Sequence, residues 1–375
     1  MEYNAYLTEL ESQGNLRQIP SISQQEDVID FSLNDYLGIA ERGVIQQSFF
    51  NQPTTSTISL TSSASRLLAA NQDEYDKLEA FLRDCYHKDA LIFNSGYHAN
   101  VGVVSALADK DTLIVADKLV HASIIDGIAL SKAPFTRFRH NDTAHLSKIL
   151  EKEASKYSRI LIIVESVYSM DGDQAPLQDI IKLKRLYPHA LLYVDEAHAV
   201  GAAGIKGLGI CSYLANTDDV DIIIGTCGKA LASSGAFAIT NTQLRSVIIN
   251  RARSLIFSTS LPPICCAYTR FVMEHITAMN QERDHLRKLA AQLRIGLYNL
   301  GMASYDDDRY IAPVVIGDAR RTVELSKKLL DYGVKVLPIR TPTVPPGTER
   351  LRISLSAAMS TEHIDRLINA LSATL

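Results

Sequence analysis

Short apolar runs recur along the chain, each closed by small, polar or charged residues. Ala90–Phe93, Thr112–Val115, Arg159–Val164, Leu191–Val194, Asp221–Ile224 and Ala236–Thr240 each predict a strand. Arg159–Val164 is apolar almost throughout, as expected of a strand covered on both faces by helices. Between these runs the period changes. Asp73–Tyr86 predicts an amphipathic helix with Leu78, Phe81 and Leu82 inward, and Asn94-Ser-Gly-Tyr97 leads into a helix from about His98. Tyr3, Tyr6, Leu7 and Leu10 fall at helical spacing, so the N-terminus is expected to pack as a short amphipathic helix. A polar linker through Leu16-Arg17 then runs to Pro20, and Phe31–Gly38 alternates like a strand ending in a turn glycine.

From about residue 280 the pattern becomes a long charged helix, short strands near Ile311–Ile316 and Val334–Pro338, and a closing helix from about Thr361. The expected organisation is an N-terminal helix and arm over 1–40, a large α/β domain over 41–279 and a small α+β domain over 280–375. A chain of 375 residues is long enough for two such cores.

Composition narrows the partners. Apolar content of 46% and charged content of 21% are those of a globular protein. A net charge of −4 argues against a general nucleic-acid surface. The five cysteines are scattered without a C-x-x-C, which reads as reduced thiols. The first residues lack the basic-then-apolar order of a signal peptide, and no apolar run reaches the roughly 18 residues of a membrane span. A cytoplasmic location is expected.

Two strand ends carry the candidate chemistry. The run Asp221–Ile224 empties into Gly225-Thr-Cys-Gly-Lys229, where a lysine held in a tight small-residue loop suits a Schiff-base nucleophile. Such an amine needs a pKa below its free value of about 10.4 to react near neutrality. A surface lysine after a strand fits that loop as well. Upstream, Leu191–Val194 ends in Asp195-Glu-Ala-His198. An acid at the C-terminal end of a strand lies where open α/β sheets bind ligands, and it would keep a pyridine nitrogen protonated. Asp195 and His198 could also be a plain strand end or a metal pair, but no further His/Cys cluster at ligand spacing accompanies them. The Ser95-Gly96-Tyr97 turn before a helix is a natural anion site, though such a turn is often no more than a turn.

Taken together, Asn34-Asp-Tyr-Leu-Gly38, Glu165-Ser-Val-Tyr-Ser-Met-Asp-Gly172, Asp195-Glu-Ala-His198, Gly225-Thr-Cys-Gly-Lys229 and Arg350-Leu-Arg352 resemble the α-oxoamine synthases over nearly the whole chain. The resemblance implies a fold-type-I pyridoxal-5′-phosphate-dependent transferase whose large domain has a mostly parallel seven-stranded sheet. It implies decarboxylative condensation of a small-molecule amino acid with an acyl thioester, by a homodimer with shared sites, with neither nucleic acid nor membrane as partner. The thioester donor would be coenzyme A or acyl carrier protein.

It also assigns roles. Lys229 would carry the cofactor, Asp195 face the pyridine nitrogen, His121 stack on the ring, and His198 and Ser169 orient it. Ser95, Gly96, Tyr97 and Thr226 would serve the phosphate, with Ser258 and Thr259 reaching the phosphate of the partner subunit. Asn34 and Arg352 would meet the substrate, Arg352 at its carboxylate, and Arg17 and Thr343 the acyl chain. Glu165 would stand behind the site, and His140 reads as a loop residue. The loop Thr61–Arg66 carries Ser and Ala where the family usually has glycines, and Tyr75 stands where a histidine is common. Thr341–Thr348, Arg139–Asp142 and Tyr168–Asp173 resemble the branch that joins L-alanine to a pimeloyl thioester. Branches using glycine or serine are the alternative.

Overall fold

The computed structural model describes residues 3–17, 19, 27–70, 72–302 and 307–375. Pro20, the expected end of the linker, lies outside them. The chain divides into two compact units, one of Ile39–Tyr168 with Asp173–Asn280, the other of Met1–Gly38, Ser169–Gly172 and Gln281–Leu375. The described residues up to Gly38 thus cluster with the C-terminal segment.

In the larger unit, each of the six predicted apolar runs is a strand, and Phe135–Phe138 adds a seventh that the pattern did not mark: β1 (Asp89–Phe93), β2 (Thr112–Asp117), β3 (Phe135–Phe138), β4 (Arg159–Glu165), β5 (Ala190–Asp195), β6 (Ile222–Thr226) and β7 (Ala236–Thr240). They form one seven-stranded sheet in the order β1-β7-β6-β5-β4-β2-β3. The sheet is parallel except at β7, which runs antiparallel to both β1 and β6. All six residues of β2 and the last six of β4 are buried, so these strands need no polar face. Helices α1 (Asp73–Tyr86), α2 (Gly96–Leu107) and α3 (Ala122–Ser131) cover the sheet, and Val103, Val104, Ile124 and Ile128 join Ile114, Leu161 and Ile224 in its core.

The sheet register matters most for function. Glu165 pairs with Asp195, and Asp195 with Ile224, so the acidic ends of β4 and β5 and the Thr226 end of β6 lie side by side. These are the C-terminal ends of parallel strands, where α/β sheets leave room for a ligand.

The smaller unit holds a three-stranded antiparallel sheet of Leu337–Ile339, Arg350–Ser354 and Ile311–Val315, in that order. Ile29–Asp30 pairs in parallel with Val334–Lys335. Two glycines here admit no other residue. Gly38 (φ 68°) would place a Cβ 2.6 Å from that of Ala358, and Gly172 (φ 69°) would drive one to 1.9 Å from the Ile311 carbonyl.

Three expectations change. Phe31–Gly38 is turn and irregular chain instead of a strand; Phe31, Tyr36 and Leu37 are all buried, so its alternation did not mark one face of a sheet. The N-terminal helix forms over Tyr3–Ser12 but buries none of its residues. In α1 the inward face is Tyr75, Leu78, Glu79, Leu82 and Tyr86, with Phe81 only half-buried. Glu79 can be inside because Arg66 and Arg245 reach it at 2.8 and 2.9 Å.

Candidate active site

Five chain segments of the larger unit meet beyond the strand ends. The tight loop after β6 brings Lys229 back so that its Nζ lies 2.7 Å from Nε2 of His198, three residues past the end of β5. Asp195, 3% exposed, accepts the Ala197 amide on Oδ1 at 2.9 Å and the Asn100 amide on Oδ2 at 2.8 Å. Asn100 comes from the second turn of α2, and its oxygen takes the Tyr193 hydroxyl at 2.5 Å. His121 opens α3: its Nδ1 accepts the Ser123 amide at 3.2 Å and lies 2.7 Å from the Ser123 hydroxyl. The histidine is thus a helix cap and a pocket residue at once. Burial, partly opposed by Asp195, holds the His121 imidazolium below its usual range.

These groups line one pocket of about 160 Å³, which gathers Lys229, Asp195, His198, His121, Gly96, Tyr97 and Thr226 from the residues singled out in the sequence. At its far wall α2 begins at Gly96, earlier than the expected His98. Ser95 caps it, taking the His98 amide on its hydroxyl and the Ala99 amide on its carbonyl. The Gly96 and Tyr97 amides therefore stand in the first turn, where the helix itself supplies no acceptor. Thr226 faces them: a Cβ on Gly96 would lie 3.6 Å from its hydroxyl. Ser258 and Thr259 are drawn to the same corner by Asn94, whose amide reaches the Thr259 carbonyl at 2.6 Å and the Ser258 hydroxyl at 3.3 Å.

Glu165 also lines this pocket, 2% exposed, and its Oε1 has no hydrogen-bond partner among the described residues. Burial first, then the Asp195 charge beside it, raises its carboxyl well above the usual range, against the pull of Lys229.

The remaining predicted residues belong to the smaller unit. Arg352, 3% exposed, donates to the Ser169 carbonyl (2.6 Å), the Ser354 hydroxyl (2.8 Å) and the Asn34 side chain (3.0 Å). Asn34, Ser169 and Arg352 are thus one cluster. Arg17 donates to the Thr343 hydroxyl at 2.8 Å, which pairs the two candidates for the acyl chain.

His140 is no ordinary loop residue. It bridges Asp117 at the end of β2 (2.9 Å) and Asp173 (2.7 Å) and meets the Tyr168 ring edge-on, with centroids 4.4 Å apart. Burial opposes its charge, but the two aspartates raise its pKa to about 10. In the loop Thr61–Arg66, Ser63 takes φ 49° without the help of a glycine. Tyr75 donates to the Leu261 carbonyl at 2.6 Å, with the Arg66 guanidinium 4.1 Å above its ring.

The family described as aminotransferase class I and II matches residues 26–371 of this chain. An 8-amino-7-oxononanoate synthase of Haemophilus ducreyi is 43% identical over 98% of this chain and 96% of its own. The chain belongs to the α-oxoamine synthases. Among solved structures, SPT with its PLP internal aldimine superimposes with a TM-score of 0.89 at 28% identity, covering 99% of this chain and 96% of that one. The 8-amino-7-oxononanoate synthase of Francisella tularensis gives 0.79 at 26% identity over 93% and 98%.

This α-oxoamine synthase is therefore an enzyme of a pyridoxal-phosphate family, and its residues fit that cofactor. A lysine, a buried acid, a helix start whose Gly96 and Tyr97 amides have no intrahelical acceptor beside a threonine, and a histidine together match an aldehyde, a pyridine and a phosphate. No helix among the described residues is long and apolar enough to cross a membrane.

Proposed function

We propose that this α-oxoamine synthase joins L-alanine to a pimeloyl thioester, giving 8-amino-7-oxononanoate, CO2 and the free thiol in biotin synthesis. The observation that carries the reading is the likeness to the H. ducreyi synthase, which runs at 43% identity through 98% of the chain. Pyridoxal phosphate, when bound, supplies the electron sink for charge left on the amino-acid Cα.

The chain's own groups do the rest. Lys229 anchors the cofactor, then takes the Cα proton of the bound amino acid and returns one after the carboxylate leaves. Asp195 would accept from the pyridine nitrogen and keep it protonated. His121 would cover the ring and exclude water. His198 and Ser169 would orient it. Gly96, Tyr97, Ser95 and Thr226 bind the phosphate, with Ser258 and Thr259 contributing across a homodimer. Arg352 and Asn34 hold the amino-acid carboxylate, for which a guanidinium fork is suited. Arg17 and Thr343 guide the acyl chain, delivered as a coenzyme A or acyl-carrier-protein thioester.

A second reading, serine with a long-chain acyl thioester, has one observation in its favour. The backbone matches SPT more closely, at a TM-score of 0.89 against 0.79 for the F. tularensis synthase. Sequence favours the first, at 43% identity against 28%. An amino-acid panel crossed with acyl thioesters of different length decides between them. The highest kcat/KM belongs to L-alanine with pimeloyl thioester on the first reading; serine with a long-chain thioester at the top would replace it with the second.

A further inference from the structure

Asn100, 2% exposed, lines the pocket and has three side-chain partners, of which Asp195 lines it too. Their hydrogen-bond directions follow one from another. Asp195 Oδ2 lies 2.8 Å from Asn100, and a carboxylate only accepts, so the amide nitrogen must face it. The amide oxygen then faces the Tyr193 phenol at 2.5 Å, which has to donate. The second amide proton points to the Ser123 hydroxyl at 2.9 Å, leaving that hydroxyl's own proton for His121 Nδ1 at 2.7 Å. The same Nδ1 already takes the Ser123 backbone N–H. Two donors on one ring nitrogen leave no place for a proton there.

We propose that Tyr193, Asn100 and Ser123 form a positioning relay that ties Asp195 to His121, aiming the carboxylate and fixing the imidazole as the neutral tautomer with its proton on Nε2. None of the three touches reacting atoms; they act through Asp195 and His121. Tyr193 and Ser123 are both 0% exposed, so water does not compete for their bonds to Asn100. The other charged groups acting on His121 are Lys229, which opposes an imidazolium, and Asp126, which favours one. The lowered imidazolium pKa agrees with the geometry. The link to the cofactor rests on the roles given above to Asp195 and His121; the tautomer does not, so the two can fail separately.

The test uses the full chain with pyridoxal phosphate bound and its histidine rings labelled with 15N. The His121 signal is identified by its loss in His121→Asn. The relay predicts an Nε2-protonated neutral ring near neutral pH. Ser123→Ala should weaken that tautomer preference roughly fivefold, the share of one lost hydrogen bond. Asn100→Ala should do likewise, by freeing the Ser123 hydroxyl to turn, and should weaken cofactor binding about tenfold in a direct titration. Tyr193→Phe should lower Tm yet leave the tautomer in place, since Asp195 alone still orients Asn100. A wild-type ring protonated on Nδ1 overturns the relay, even if Asn100→Ala does not fold. So does a pair of Asn100 and Ser123 variants that lose only Tm while tautomer and cofactor affinity stay unchanged.

Discussion

The amine of Lys229 lies 2.7 Å from Nε2 of His198, although 31 residues separate them in the chain. At that distance one of the two nitrogens donates a hydrogen bond to the other. The contact fixes the lysine over the strand ends, beside Asp195. Borohydride reduction of the holoenzyme should therefore remove its visible absorption and leave the cofactor on the peptide containing Lys229. A label on another lysine would contradict the anchoring role.

Asp195→Asn removes the charge while an amide can still fill the space between Asn100 and Ala197. The variant should fold and bind cofactor, yet lose about 10²–10³-fold in kcat, the usual cost of one missing electrostatic group. Circular dichroism, cofactor titration and turnover on one preparation would check this. Turnover near the wild-type rate would remove Asp195 from the mechanism.

Arg352→Ala should weaken every amino-acid substrate alike, by roughly ten- to a hundredfold, because a charge-assisted contact is worth about 1.5–3 kcal/mol. Preference among acyl donors should not change. Binding isotherms for alanine, glycine and serine measure the first effect, and competition between thioesters the second.

His140 gives a pH signature. Its folded pKa is raised to about 10 from the ordinary value near 6.5. A raised base contributes stability that is fully present below its unfolded pKa and disappears as pH climbs through the folded one. The Tm advantage of the wild type over His140→Gln should be largest below pH ~6.5 and shrink steadily toward pH ~10. A constant difference across that window would mean that Asp117 and Asp173 hold an uncharged ring.

Ser63 is left-handed at φ 49° in the loop Thr61–Arg66, which contains no glycine. That conformation costs a side-chain-bearing residue about 1–2 kcal/mol. Ser63→Gly should thus hold or raise stability by up to about 1 kcal/mol, and Ser63→Val should lower it by more than that. Thermal melts of the two variants settle the sign.

Most of the sheet was legible because its inner strands are buried on both faces, and near-continuous runs such as Ile160–Val164 have few other solutions; Phe135–Phe138, largely exposed at the sheet edge, was not. Lys229, Asp195 and His198 could be singled out because each stands at or just past the end of such a run, and the structure brings the three into one pocket. Phe31–Gly38 misled because burial in irregular chain produces the same alternation as one face of a strand. His140 was missed for a different reason. Its partners lie 23 and 33 residues away, and only the sheet order brings β2 beside the loop that carries Asp173. Asn100 is similar: it sits mid-helix among apolar residues, and nothing local shows that Tyr193 and Asp195 will face it from 93 and 95 residues on.

The central claim is decarboxylative condensation, and carboxyl-labelled L-alanine tests it most directly. With pimeloyl thioester present, the holoenzyme should release labelled CO2, free thiol and 8-amino-7-oxononanoate in equal amounts, and with the thioester omitted it should release no CO2. Loss of the label without thiol release, or thiol release with the label kept in the product, would contradict the account.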